Sequence, residues 1–326
     1  MKTKILSLLR DSKDYVSGQE LCEKLSVSRT AVWKVIHQLK EEGYQFDAIQ
    51  NKGYKMIAEP DLMTKSEIVS RLETTWAGRE IQDLKETDST NADCKRLAEQ
   101  GAGHGLLCVA DSQRAGRGRR GKSWESPPGT SISMSLLLKP GILPEQAPML
   151  TIVMALAVAR AINELGEEPC QIKWPNDILF HNRKVCGILT EMSAEMDFIN
   201  YVVIGCGVNV NQEEIPLELQ EIATSLKREM GTLISRAKLV SRILYFFEKV
   251  YDQFTQQGNL SFLQVEYNNL LVNRSRQVRV LDPQGEYNGT AIGINETGEL
   301  LVETEDGKQI AVYAGEVSVR GIYGYV

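Results

Sequence analysis

Apolar residues recur at helical spacing from the start of the chain, with Ile5, Leu8 and Leu9 on one side of Lys2 to Arg10. A second short helix is predicted over Gly18 to Leu25, where Ser17 offers an N-cap oxygen and Glu20 completes a capping box. A third is predicted from Arg29 to Glu42. Its apolar stripe is Ala31, Val32, Val35, Ile36 and Leu39, while Arg29, Thr30, Trp33, Lys34, Gln38 and Lys40 lie off it. Tyr44 to Ile57 reads as two short strands turned around Asn51-Lys52-Gly53. Three helices with a tight turn before the third, followed by a hairpin with a basic tip, suggest a winged helix-turn-helix over residues 1–60. The same elements suit any small protein-interaction module.

Ala58-Glu59-Pro60-Asp61 is a polar, proline-marked linker. Over residues 65–271, strand-like runs (Leu106 to Ala110, Ser131 to Leu138, Lys184 to Glu191, Tyr201 to Val210) alternate with helical ones (near Asn91 to Gln100, Gln146 to Leu165, Ser235 to Thr255), which predicts a mixed α/β core. Over residues 273–326 the runs shorten to Gln277–Leu281, Thr290–Ile294, Leu300–Glu303 and Gln309–Val312. Glycine-containing turns at Asp282-Pro283-Gln284-Gly285, Glu296-Thr297-Gly298 and Glu305-Asp306-Gly307 separate them, the pattern of a small β-barrel. The fold class expected for the whole is α+β.

Composition narrows the class. With 326 residues, 42% hydrophobic and 25% charged, the chain has the make-up of a folded globular protein of two or three domains. Its most apolar run, Met149 to Ala159, is too short to span a bilayer, and the N-terminal ten residues lack a signal-peptide core. A cytoplasmic protein without membrane contact is expected. Six scattered cysteines without C-x-x-C spacing and three distant histidines argue against a zinc or disulfide framework. The net charge of −6 speaks against nucleic acid, but residues 1–60 carry ten Lys+Arg against eight Asp+Glu, so a cationic head on an acidic body is consistent with local phosphate contact.

The candidate chemistry starts at Gly116-Arg117-Gly118-Arg119-Arg120-Gly121-Lys122-Ser123-Trp124. Glycines permit close backbone approach, and the cations supply donors suited to carboxylate and phosphate oxygens. Gly116 to Ser123 also matches the phosphate loop of a nucleotidase class, but that loop must run from a strand directly into a helix, and Pro127-Pro128 cannot continue one. Lys173-Trp174-Pro175-Asn176-Asp177 reads either as triphosphate and magnesium handling or as a turn with Trp174 in the core. Lys184, after Arg183, reads by itself as a solvated edge-strand charge. Ser89 or Thr90 serves equally as an N-cap for the helix near Asn91.

Taken together, these residues resemble biotin protein ligases. The GRGRRG run with its tryptophan, the KWPND segment, and the lysine in Arg183-Lys184-Val185-Cys186-Gly187-Ile188-Leu189 occur in that family's order. Ser89-Thr90-Asn91, Gln113 and Gly205-Cys206-Gly207-Val208-Asn209 also match its pattern, and the likeness covers essentially the whole chain. The resemblance implies a class II synthetase-like core with an SH3-like C-terminal barrel. It implies a reaction in which the biotin carboxylate attacks the α-phosphorus of ATP, giving biotinyl-5'-AMP and pyrophosphate, before a lysine of a carboxylase's biotin carboxyl-carrier domain displaces AMP. ATP and Mg²⁺ are the implied cofactors. Lys184, Arg119 and Arg117 become the catalytic candidates. Ser89, Thr90, Asn91, Gln113, Gly116, Arg117, Gly118, Arg119, Lys184 and Gly187 would hold biotin, with residues 113–128 forming a loop over it. Arg119, Arg120, Trp124, Lys173, Asn176 and Asn209 would hold ATP, and Asp177 the magnesium. A subset of the family carries a winged head and represses biotin genes. That implies operator contacts by Ser28, Arg29, Thr30, Trp33, Lys34 and Lys52, and a homodimer when adenylate is bound. The alternative expectation is a biotin-sensing DNA-binding regulator without catalysis.

Overall fold

The computed structural model describes residues 1–282, 285–314 and 318–321. The centre of the turn expected at Pro283-Gln284 and parts of the 273–326 segment therefore lie outside the described residues.

Three helices, α1 (Lys2–Asp11), α2 (Gly18–Leu25) and α3 (Arg29–Glu41), precede a hairpin of β1 (Gln45–Ile49) and β2 (Gly53–Ala58). The starts of α2 and α3 follow from their hydroxyls: Ser17 Oγ accepts the Glu20 N–H at 3.0 Å and Ser28 Oγ that of Ala31 at 3.2 Å. The capping box is only half made, because the Glu20 carboxylate pairs with Lys24 at 2.8 Å. Ile5, Leu6, Leu9, Leu21, Val32, Val35, Ile36 and Leu39 form an apolar cluster of the head's own, with Leu8, partly buried, packed against it and Leu6 inside it as well. The head is tied to α4 (Lys65–Val69) by a buried carboxylate: Glu67 accepts from Arg10 Nη2 at 2.9 Å, from Arg71 Nε at 3.1 Å and from the Tyr44 hydroxyl.

The core comprises β3 (Ile81–Thr87), α5 (Thr90–Glu99), β4 (Leu107–Arg117), β5 (Ser123–Ser126), β6 (Ser131–Leu138), α6 (Met149–Asn163), β7 (Gln171–Lys173), β8 (Asp177–Phe180), β9 (Arg183–Ala194), β10 (Ile199–Asn209), α7 (Leu226–Met230), α8 (Arg236–Gln257) and α9 (Gln264–Leu270). Its sheet runs β3-β4-β6-β10-β9-β8-β7, with β5 added onto β4. Only β3 and β4 are parallel; the remaining pairs are antiparallel. All eight residues of β6 are buried, since α6 and α8 cover one face of the sheet and α5 the other. The apolar stretch of α6 with its preceding turn spans Pro144–Asn163, long and apolar enough by composition to cross a membrane and longer than the run read from the sequence. Here 78% of it is buried inside the fold.

Beyond α9, β11 (Gln277–Leu281), β12 (Tyr287–Ile294), β13 (Leu300–Glu303), β14 (Gln309–Val312) and β15 (Ser318–Gly321) form an antiparallel sheet in the order β14-β13-β12-β11-β15. Its inward residues, Val278, Val280, Ala291, Leu300 and Val302, join the same apolar cluster as α6 and α8.

One buried charge gives the core an acid-sensitive joint. Glu248 of α8, 2% exposed, accepts the N–H groups of Thr75, Trp76 and Ala77 at 2.7–2.9 Å and the Thr75 hydroxyl at 2.9 Å. Burial raises its pKa, but these hydrogen bonds outweigh burial and hold it below the ordinary carboxylate value of 4.5. A depressed carboxylate stabilises the fold above its unfolded pKa and loses that contribution as pH falls through the folded one. Glu248→Gln should therefore unfold at lower urea concentration than wild type near pH 7. The gap should close as pH drops below about 4.5, and an unchanging gap between pH 7 and 3.5 contradicts this reading.

Candidate active site

The floor of the site is made by β9 and β10, where Gly187, Gly205 and Gly207 leave room for side chains pressed against the backbone. A Cβ on Gly207 would stand 2.5 Å from the indole Nε1 and Cε2 of Trp124, and one on Gly205 would lie 2.2 Å from Asn91 Oδ1. These separations are far inside van der Waals contact, so only glycine fits.

Trp124 reaches that floor from a hairpin. Strand β4 continues through residues 111–117 and pairs back with β5 (Gln113↔Ser126, Gly116↔Trp124, Arg117↔Ser123), with one short 3₁₀ turn at Arg119–Gly121 between them. Much of the loop expected over 113–128 is thus ordered strand. The nucleotidase reading falls as well, since the motif turns back into a strand instead of opening a helix.

Two cavities meet at this hairpin. The smaller, of about 50 Å³, is bordered by Ser89, Thr90, Asn91, Gln113, Arg117, Gly118, Arg119, Lys184 and Gly187. Gly116 does not border it; that residue is wedged against the Trp124 carbonyl and the Gln113 amide. Neither Ser89 nor Thr90 caps α5 with its own side chain. Gln113 Oε1 does so, accepting the Thr90 N–H at 2.8 Å and the Thr90 hydroxyl at 3.1 Å. Asn91 is engaged within the wall: its Oδ1 accepts from Ser135 Oγ at 2.6 Å, and its Nδ2 donates to Glu191 at 2.7 Å and to Leu189 O at 3.3 Å.

The larger cavity, of about 720 Å³, is bordered by Arg119, Arg120, Trp124, Lys173, Asn176 and Asn209, with Lys184 at the boundary between the two. Around it stand six cationic side chains (Arg119, Arg120, Lys122, Lys173, Lys184, Arg320) and three acidic ones (Glu125, Asp177, Glu214), in a chain of net charge −6. Lys173 is 6% exposed, and its pKa is lowered to about 8, first by burial and then by Lys184, Arg320 and Lys122, against the opposing pull of Asp177. Lys184 Nζ pairs with Asp177 Oδ1 at 2.6 Å and lies 5.5 Å from the Trp124 ring centre. Its backbone pairs with residues 222–224, of which Ile222 and Ala223 wall the cavity: Lys184 N–H donates to Ile222 O at 2.8 Å and Thr224 N–H to Lys184 O at 2.9 Å. Arg119 bridges to Asn176 Oδ1 at 3.1 Å and to the Ala314 carbonyl, in the C-terminal sheet region, at 2.8 Å. Trp174 is buried and donates from Nε1 to Gly298 O at 2.9 Å, and the Trp174–Pro175 peptide bond that follows it is cis. Two buried polar atoms beside these cavities, Trp124 Nε1 and Gln212 Oε1, have no hydrogen-bond partner among the described residues.

Sequence reasoning missed Gln212, Ser135, Lys122 and Arg320 as neighbours of the site. Lys122 stood inside the motif already singled out. Nothing in the residues around Arg320 marks it, because β15 brings it to the cavity from the far end of the chain.

On the head, Ser28, Arg29, Thr30, Trp33 and Lys34 share an exposed face at the start of α3, with Trp33 56% exposed. Lys52 is exposed at the hairpin tip, near Tyr15.

Family models match three stretches: an HTH domain over residues 2–55, the Biotin/lipoate A/B protein ligase family over 83–209, and the Biotin protein ligase C terminal domain over 276–320. The chain is 39% identical over 308 residues to the Bifunctional ligase/repressor BirA of Bacillus subtilis, covering 94% of each chain. It is 29% identical over 318 residues to the protein of the same name from Escherichia coli, covering 97% and 96%. Among solved structures, the biotin protein ligase from Aquifex aeolicus in complex with biotin and ATP is similar with a TM-score of 0.66 and 33% identity, covering 74% of this chain and 99% of that one.

Proposed function

The chain belongs to the family of bifunctional biotin ligase/repressors, and from that premise we propose that it activates biotin with ATP, transfers it to an acceptor lysine, and represses transcription through its winged head. The observation that carries the ligase reading is the junction of a small polar cavity with a large one ringed by six cations, Lys184 standing at the boundary. A carboxylate and a triphosphate repel, and bringing them together needs fixed positive charge where they meet.

On this reading Ser89, Thr90, Gln113, Arg117 and Gly118 hold the vitamin's ring and Gly187 admits it. Asn91 acts on them from within the wall through Ser135. Arg120, Lys122, Lys173, Asn176, Asn209 and Arg320 face the nucleotide. Lys184 and Arg119 neutralise the attacking carboxylate and the α-phosphate as a mixed anhydride forms and pyrophosphate leaves. Trp124 covers the product against water until the acceptor amine displaces AMP. The unpartnered Trp124 Nε1 and Gln212 Oε1 supply a donor and an acceptor to the bound ligand.

Of the three acidic side chains around the large cavity, Asp177 is the one we assign to magnesium; its Oδ1 already pairs with Lys184, and no cluster of three metal-type ligands exists among the described residues. Such a donor set suits an ion that arrives on phosphate oxygens and keeps most of its water; bound so, it would neutralise phosphate charge. The units act as a DNA-binding head (1–60), a catalytic core (65–271) and a C-terminal domain (273–326). The exposed Ser28, Arg29, Thr30, Trp33, Lys34 and Lys52 meet operator DNA, and adenylate-bound subunits pair so that two heads reach two half-sites. The acceptor is the biotin carboxyl-carrier domain of a carboxylase, in the cytoplasm.

The deciding experiment is pyrophosphate release by purified protein with ATP and Mg²⁺, with and without biotin. Biotin-dependent release with an adenylate retained on the protein is expected. Retention of biotin without pyrophosphate release would instead establish a non-catalytic sensor, a reading the triphosphate-sized ring of cations disfavours.

A further inference from the structure

Arg236, the first residue of α8, is 2% exposed and commits its guanidinium to several distant stretches of chain. Nε donates to Asp61 Oδ2 at 2.7 Å and Nη2 to the Asp61 carbonyl at 3.0 Å, while its backbone N–H donates to Asp61 Oδ1 at 2.8 Å. Nη1 donates to Asp111 Oδ1 at 2.7 Å and to the Ser131 carbonyl at 3.1 Å. Asp61 belongs to the linker that follows the winged head. Asp111 lies in β4 at one foot of the Trp124 hairpin, and its second oxygen accepts the N–H of Gly129, at the other foot, at 3.1 Å. Asp61 also receives Asn211 Nδ2 at 3.0 Å, and Asn211 opens the segment that walls the large cavity and donates its own N–H to Thr130 O at 2.7 Å.

None of Asp61, Asp111 and Arg236 borders either cavity. Yet together they fix the linker, both feet of the hairpin and the start of the cavity wall to one guanidinium. A buried cation left without its carboxylate is costly, so the surroundings rearrange as a set when one partner is lost. We infer that Arg236 is a positioning residue for biotin activation, and that through it the Asp61 linker sets the closed arrangement of the hairpin over the ligand. Coupling of this kind is reciprocal in binding free energy, so a ligand that closes the hairpin also stiffens the attachment of the head. The inference rests on the ligase reading given above.

The test uses the full chain with Asp61→Asn, which keeps the side chain's shape and one acceptor, alongside Arg236→Met. KM for biotin and kcat for pyrophosphate release are measured, together with the rate at which trypsin cuts the hairpin at Arg117, Arg119, Arg120 or Lys122. Asp61→Asn should raise KM for biotin about fivefold or more, the lower range of allosteric couplings, with kcat within about twofold. Hairpin cleavage should be faster without biotin and return to the wild-type rate at saturating biotin. Should Arg236→Met fail to fold, Asp61→Asn decides alone. A lowered melting temperature with unchanged KM and unchanged cleavage would mean a merely structural triad and overturn the inference. Absence of biotin-dependent pyrophosphate release in the wild type would overturn the ligase reading instead, so the two failures are distinguishable.

Discussion

Lys184→Ala is expected to lower kcat for biotin-dependent pyrophosphate release by about 10²- to 10³-fold, the loss typical of removing one preorganised donor to developing charge. The side chain lies at the boundary of both cavities, and its ammonium sits 2.6 Å from Asp177 Oδ1 and against the Trp124 ring. It is therefore held where carboxylate and phosphate oxygens must converge. Removing it subtracts a positive charge and also exposes the Asp177 carboxylate to the phosphates. Hence Lys184→Ala with Asp177→Asn should recover part of the loss, a non-additivity expected for residues in direct contact. Lys184→Arg should recover little, because a larger planar fork delivers its charge in a different geometry from the compact ammonium held 2.6 Å from Asp177 Oδ1. A kcat for Lys184→Ala within tenfold of wild type would remove Lys184 from the chemistry. Single-turnover measurement separates that result from slow product release.

Gly207→Ala should cost about 10²-fold in kcat/KM, comparable with the penalty for displacing a catalytic group by an ångström. The added methyl would overlap the Trp124 indole at 2.5 Å. Strand β10 cannot retreat, since it is paired on both sides, with β6 and with β9. The ring must lift, and the hairpin carrying Arg119 and Arg117 lifts with it. Trp124→Leu in the same chain removes the overlapping atoms and should restore part of the activity lost to the methyl. If Gly207→Ala lowers the melting temperature but leaves kcat/KM within about threefold, the indole is packing and not a cover.

The parts of this fold that were legible in the sequence are those where one face is buried. The α3 stripe of Val32, Val35, Ile36 and Leu39, the run through Ile132, Met134 and Leu136 to Leu138 in the buried strand β6, and the N-cap Ser17 declare themselves by period and by side-chain chemistry. Strand β3 did not. It is an edge strand whose Gln82, Asp83, Lys85 and Glu86 carry no apolar alternation, and of its seven residues only Ile81 is buried. Strand β5 was hidden for another reason: four residues between a glycine turn and Pro127-Pro128 are too few to show a period, and their pairing with β4 is a tertiary fact. The site was legible where chemistry clusters along the chain, as in residues 116–124 and 173–177. It was not legible where topology alone supplies the neighbour. Gln113 capping a helix that starts 23 residues earlier and Arg320 entering the cation ring are of that kind.

The bond from Arg119 to the carbonyl of Ala314, with Val319 and Arg320 beside the same cavity, has a consequence for how the enzyme comes into being on the ribosome. Nearly two hundred residues separate the two ends of that bond, so a nascent chain that has already made its motif lysines and arginines still lacks a working pocket. A message cut short after the central sheet should yield a protein that carries the motifs of residues 116–124, 173–177 and 183–189 and performs none of their work.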